Sequence, residues 1–277
     1  MSAPDPAARR HTVRLIGSEL RLIFTRRRNL AILTVLAAIP VLIAVAVRIS
    51  HRGGGGSIFG GITDNGIFVG FAALFAVVPV FLPMAMSVVA GDSIAGEASS
   101  GTLRYLLTVP VSRLRLLVTK FLAALVWSLA CALVVVVAGV LAGLALFPAG
   151  RVTLLSGTST SYVAALWLLL VAALYAGAMM ASIAAIGLLV STLTEVPIAA
   201  MAATMGAAIA STVMDAVPQL QAIAPALPTH RWLAFADLLR DPVVWDRMGR
   251  GLLVTLTYVA IAGTLAWARF SAKDITS

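Results

Sequence analysis

Charge is scarce in this chain. Asp, Glu, Lys and Arg make up 11% of its 277 residues, while apolar residues reach 61%. A soluble domain carries about 25% charged residues, so the composition is that of an integral membrane protein. Cysteine is scarcer still. Cys131 stands alone inside an apolar run, which excludes an internal disulfide and leaves no thiol pair for a metal. The three histidines, His11, His51 and His230, fall in three separate segments, a poor basis for a metal centre. There is no GxxxxGK[ST] and no Gly-Lys pair anywhere, so the chain has no P-loop, and the Gly53–Gly56 quartet reads as a flexible loop. No segment is both long and polar enough to form a separate soluble domain, so residues 1–277 read as one transmembrane domain.

What the chain does have is apolar runs. A span needs about 20 mostly apolar residues. Six runs meet or approach this: Leu30–Val47, Ile67–Ala90, Phe121–Leu146, Tyr162–Val190, Pro197–Met214 and Gly251–Trp267. The first exceeds the apolar core of a signal peptide and lacks a small-residue cleavage site, so it is expected to remain as a span. The third and fourth are long enough to tilt or to project beyond the lipid. Six spans place both termini on one side. Thirteen cations lie in the N-terminal stretch, the 91–120 loop and the tail, against seven on the other side. The positive-inside rule then predicts a multi-pass protein of the cell membrane, with both termini and the 91–120 loop cytoplasmic. The net charge of +9 follows the membrane sides, which argues against nucleic acid as a partner.

No Asp, Glu, Lys, Arg or His lies inside any of the six runs. Ionisable residues at membrane depth mark proton relays and many ion pathways. Their absence counts against a proton-coupled carrier, an intramembrane protease or a lipid-modifying enzyme. Sodium coupling through backbone carbonyls stays open. Gly139-xxx-Gly143 and Gly66-xxx-Gly70 have the spacing of close helix contacts, a weak signal in so alanine-rich a chain.

Two flanking stretches carry structure of their own. Within residues 10–29, Val13, Ile16, Leu20, Ile23 and Phe24 repeat at helical spacing with Arg14 and Arg21 between them. This predicts an amphipathic helix in the headgroup layer, followed by an Arg26-Arg27-Arg28 anchor. Residues 215–250 form an external segment divided by Pro218, Pro225, Pro228 and Pro242. Trp232, Phe235 and Trp245 are of the kind found at membrane interfaces. The expectation is short re-entrant-like helices that dip into the outer leaflet or cover a pathway mouth; a surface cap without a transport role is the alternative.

The most informative stretch is the loop at 91–120, GDSIAGEASSGTLRYLLTVPVSRLRLLVTK. Thr102–Thr108 can form about two helical turns with Leu103, Leu106 and Leu107 on one side. Pro110 stops that helix and pushes Val109 towards extended geometry. Ser112 can then cap the long helix that follows, with Arg113, Arg115 and Lys120 at its cytoplasmic end. The run Gly96, Glu97, Gly101, Thr102, Leu103, Leu106, Leu107, Thr108, Pro110, Ser112, Arg113 and Lys120 resembles the signature of membrane (permease) subunits in the type-2 ABC exporter superfamily. The six spans, the basic N-terminal helix and the segment before the last span resemble that family too. The resemblance implies an all-α polytopic fold of six transmembrane helices. It also implies a dimer with a second six-span subunit, identical or related, and an ATP-binding cassette subunit on the cytoplasmic face. No cofactor is implied in this chain; ATP and Mg would sit on the partner, and the membrane chain would have no ATPase activity of its own.

On this reading Glu97, Gly101, Thr102, Leu103, Arg104, Leu106, Leu107, Pro110 and Arg113 contact the ATPase, with Glu97 either offering its charge or bracing the loop. Charge-free spans suit a hydrophobic or amphipathic cargo such as a drug, an antibiotic or a lipid. The second span leads into the loop, so Phe68, Phe71, Phe75 and Met84 are the candidate pathway lining, faced by Met201 and Met205 of the fifth. A secondary carrier or channel working without an ATPase is the competing reading.

Overall fold

A computed structural model describes residues 6–50, 65–101, 112–150, 152–153 and 158–272. Among the described residues the chain is almost wholly helical. Helices α1 (Pro6–Thr25) and α2 (Arg27–Ser50) are separated only by Arg26. Next come α3 (Phe68–Val77), α4 (Phe81–Ser99) and the long α5 (Arg113–Leu146). Helices α6 (Tyr162–Met179), α7 (Ala181–Leu193) and α8 (Pro197–Ala216) follow. Three short 3-10 segments (Pro218–Leu220, Ala224–Ala226 and Ala234–Leu239) lead to α9 (Asp246–Ala272). The only strand pairing among these residues joins β1 (Val152–Thr153) to β2 (Ser159–Thr160), antiparallel, in the connection between α5 and α6.

Five helical stretches are long and apolar enough to cross a bilayer alone: α2, α5, α6 with α7, α8 and α9. The pair α3–α4, bent by 55°, passes the same test only when taken together, as one broken span or a re-entrant loop. Each expected apolar run falls in one of them, and the chain is an all-α multi-pass membrane protein. The bend has a local cause. Pro79 sits between the two helices and Pro83 in the first turn of α4, where a missing N–H disturbs no helical bond. The 34 residues of α5 give a helix of about 51 Å, longer than the hydrocarbon core of about 30 Å. Its polar start therefore stands clear of the apolar stretch.

Helix α5 is the axis of the bundle, in contact with α1, α2, α3, α4 and α6; α8 packs on α4 and α7, and α9 packs on α7. The two GxxxG motifs meet each other. A Cβ added at Gly139 would come within 2.7 Å of the Gly70 Cα, and one at Gly143 would collide with the Gly66 backbone. Two helix backbones approach here as only glycine allows, which is how apolar helices gain packing energy in lipid. A second joint lies between α4 and α7. The buried Ser191 hydroxyl donates to Gly91 O at 2.8 Å and accepts from the Ile94 and Ala95 amides at 3.0 and 2.8 Å. The Ser191 side chain thus enters the backbone ladder of α4, an insertion of the kind that bends helices.

One expectation gains detail and one needs correction. The C-terminal part of the apolar stripe of α1 packs on protein. Ile23 is buried, Leu20 and Phe24 pack on the core, and the Phe24 ring lies edge-on to Trp127 with centroids 5.3 Å apart. A stripe at this spacing does not reveal whether it will meet lipid or another helix. In the 215–250 segment, Trp232 (3% exposed) and Phe235 (0%) belong to the core rather than to a lipid interface, while Trp245 stays exposed at 55%. The prolines fold the segment back, so Phe235 lies 4.8 Å from the Phe75 ring and the Tyr175 hydroxyl donates to Arg231 O at 2.7 Å.

Candidate functional site

The site is built at the end of the bundle where α4 runs out and α5 begins. Residues 102–111 lie outside the described residues, and with them Thr102, Leu103, Arg104, Leu106, Leu107 and Pro110 of the expected ATPase contact. Both walls that hold this segment are in place. Helix α4 ends at Ser99, and Gly101 adopts φ +70° with its N–H on Ala98 O at 3.1 Å. This is the left-handed helix stop that glycine supplies without strain. Helix α5 starts where expected. Ser112 is its extended N-cap, and its hydroxyl accepts from the Arg115 amide at 3.3 Å, satisfying one of the first orphan N–H groups.

Between the walls lies a charged cluster. The Lys120 ammonium donates to Glu97 Oε1 at 2.5 Å and to both Glu19 carboxylate oxygens at 3.2 and 3.3 Å. The side chain of Lys120 is only 2% exposed, those of Glu19 and Glu97 12% and 13%. A buried ammonium is tolerable only when paired and hydrogen-bonded, and here two helices each supply a carboxylate. One turn of α4 away, Asp92 takes both Arg26 and Arg28, the latter at 2.9 Å. Gly96 makes room for this: a Cβ there would lie 2.5 Å from the Asp92 carboxylate. A larger residue at the Gly96-Glu97 step would thus have to displace the Asp92 carboxylate. The six charged groups enclose a cavity of about 30 Å³, enough for one water. At the junction of α1 and α2, the buried Asn29 amide donates to Ile23 O at 2.8 Å and fixes the angle between them.

Arg113, also expected at the ATPase contact, is engaged within the chain. Its guanidinium donates to Phe270 O at 2.6 Å and Ser271 O at 3.1 Å and stacks over the Phe270 ring at 5.8 Å. It thereby caps the end of α9, where free carbonyls favour a cation, and brings that end beside the start of α5.

Glu19, Asp92 and the burial of Lys120 were not anticipated from sequence. The pairings span α1, α4 and α5, and only folding brings them together. One sequence signal was available: Glu19 is the single acid in an otherwise basic stretch from residue 6 to residue 29. Similarly, Arg26 and Arg28 read as lipid anchors but bind Asp92; only Arg27 of the triplet makes no ion pair among the described residues.

The expected lining residues do not form one surface within a single chain. Phe71 is buried, Phe68 lies against it with centroids 6.4 Å apart, and Phe75 packs on Phe235. Met84 is exposed and lines an apolar groove of about 280 Å³ with Ile32, Val35, Leu36 and Phe81. Met201 and Met205 are half-buried on α8. The fifth span does face the second, since a Cβ at Gly91 would lie 2.7 Å from the Met201 amide.

Among the described residues no group of His, Cys, Asp or Glu is arranged to hold a metal. No curated protein matches the chain in sequence. A family profile described as ABC-2 family transporter protein matches residues 24–215, well over half of the chain, from the end of α1 through α8. The chain therefore belongs to the ABC-2 transporter family, as a membrane permease subunit that has no ATPase site of its own and whose family implies an associated ATP-binding cassette subunit.

Proposed function

We propose that the chain is one six-span half of an ATP-driven exporter of hydrophobic or amphipathic compounds, paired with a second such half and powered by ATP-binding subunits at the cytoplasmic face. The observation that carries this reading is the clasp at the base of residues 102–111. A segment that follows a glycine helix stop and precedes a serine cap, its flanking helices α4 and α5 joined by a buried ion pair, is suited to receive force from outside the membrane. Leu103, Leu106 and Leu107 would seat in a groove of the ATP-binding subunit. Glu97, held by Lys120, would brace the loop, and Arg113 would brace it through α9. The cation bias favours cytoplasmic termini. Helix α1 would lie at the membrane surface, its apolar stripe on the bundle and its exposed Arg14 and Arg21 towards headgroups.

For the pathway, the exposed Met84 and its apolar groove form the best candidate surface, with Met201 and Met205 near it. Phe68, Phe71 and Phe75 lie deeper and would shape this surface from behind. Inverted membrane vesicles carrying the chain and its ATP-binding subunit should accumulate lipophilic dyes when Mg-ATP is supplied. Met84→Gln should change which dyes are taken up without loss of the ATP-binding subunit. Uptake driven by a proton or sodium gradient in the absence of ATP would point instead to a secondary carrier.

A further inference from the structure

Two backbone donors are missing where α3 gives way to α4. Pro79 lies between the helices and Pro83 in the first turn of α4. Neither has an N–H, so the carbonyls of Phe75 and Pro79 lose the donors a continuous helix would bring them. No other backbone bond among the described residues replaces these. The break is bracketed by the Val78 N–H on Leu74 O at 2.9 Å and the Met84 N–H on Val80 O at 3.1 Å. Two donors are deleted and no acceptor, so the break carries more free carbonyls than free amides.

The depth of the break gives this surplus its meaning. A bend of 55° leaves α4 advancing in the direction of α3, so the pair reads as one broken span. Helix α3 has 10 residues, and Phe81–Ala90 adds ten more of the apolar run. Each half is about 15 Å long, which puts the break near the middle of a hydrocarbon core of about 30 Å. The break also lies at the surface of the chain: Ala76 is exposed and Val80 is 50% exposed. Unpaired backbone at this depth is tolerated only where protein covers it or water reaches it, never against lipid. Phe81 and Met84, just past the break, line the apolar groove with Ile32, Val35 and Leu36. An apolar groove with spare acceptors at its edge complements a molecule with a greasy body and an N–H donor. An ammonium fits best, because carbonyl dipoles can replace its water.

We propose that the break between α3 and α4 is a water-lined polar subsite of the pathway, and that the cargo it selects is a lipophilic amine. The free carbonyls at Phe75 and Pro79 take the ammonium, and the Met84 groove takes the apolar body. The inference rests on the reading of that groove as part of an export pathway, and it narrows the cargo from hydrophobic or amphipathic compounds to those with an N–H donor.

The test uses the complex with its ATP-binding subunit in inverted vesicles, and two probes of equal length. One is a dansyl-labelled alkylamine ending in an ammonium; the other is the same dye ending in a methyl ether. The wild-type complex should take up the amine with a KM about tenfold below that of the ether, the worth of one hydrogen bond to a charged group. Pro79→Ala returns an N–H to the Phe75 carbonyl and should bring the two KM values together. Pro83→Ala, which does the same for the Pro79 carbonyl, is the second variant. A preference kept in both variants overturns the proposal, as does an equal loss of both probes in each, which would leave the prolines a bend and nothing more. Water at the break is read separately, with Cys131 replaced by alanine. Val80→Cys should react with a charged thiol reagent and be protected by the amine, while Ile261→Cys, exposed on α9, should stay unmodified. A Val80→Cys that reacts no faster than Ile261→Cys in a transporting complex means that lipid or the second half covers the break, and overturns the proposal. ATP-driven uptake of both probes with equal KM by the wild type overturns this inference alone; no ATP-driven uptake of either overturns the exporter reading and this inference with it.

Discussion

Single atoms decide the joints of this bundle. The Ser191 hydroxyl, on a residue only 1% exposed, makes three hydrogen bonds to the backbone of α4. Interhelical hydrogen bonds in membranes are worth on the order of 1 kcal/mol each, and an orphaned buried amide costs about as much or more. Ser191→Ala should therefore lower the stability of the detergent-solubilised chain by roughly 1–3 kcal/mol, seen as a lower thermal midpoint. Ser191→Thr, which keeps the hydroxyl, should lose less unless its methyl group clashes. An unchanged midpoint in Ser191→Ala would mean that α4 closes its own ladder. Lys120 works on the same scale, with one ammonium satisfying carboxylates from two helices.

At the scale of elements, the start of α5 is the most exposed to test. Ser112 caps it with a side-chain bond to the Arg115 amide. Ser112→Ala should cost about 1 kcal/mol of local helix stability and Ser112→Asp should not. Amide exchange over residues 113–116 reports this directly; equal exchange in all three proteins would remove Ser112 from the clasp. This cap was legible from sequence, because a serine after a proline and before a long apolar helix is local information. The long apolar helices were legible for the same reason: apolar length is a property of contiguous residues. The two GxxxG motifs were visible separately, but nothing in the sequence showed that Gly139 and Gly143 meet Gly70 and Gly66. Long-range pairings were lost entirely. Arg26 and Arg28 carry no mark of Asp92, and Glu19 carries none of Lys120. The aromatic residues Trp232 and Phe235 read as membrane-interface residues but lie in the core, because hydrophobicity alone does not distinguish lipid from a neighbouring helix. The left-handed Gly101 matched a motif, and its helix-stopping geometry became visible only in the fold.

At the scale of the whole molecule, the two ends of the bundle differ. The clasp, α1, the start of α5 and the end of α9 all gather at one end of the bundle, while β1, β2 and the folded 215–245 segment belong to connections at the other. With Cys131 replaced, a cysteine at the exposed Ser159 should react with an impermeant thiol reagent from outside intact cells, and one at the exposed Ser99 should not. Labelling of Ser99 from outside would invert the topology and place the clasp beyond the reach of ATP. The central claim is that residues 102–111 bind the ATP-binding subunit. Its most direct test is the amount of that subunit retained per membrane chain when the complex is purified from co-expressing cells. Leu103→Asp puts a charge into an expected apolar contact, a change worth several kcal/mol. It should strip the ATP-binding subunit from a chain that remains inserted and normally labelled at Ser159; full retention in Leu103→Asp would contradict the account.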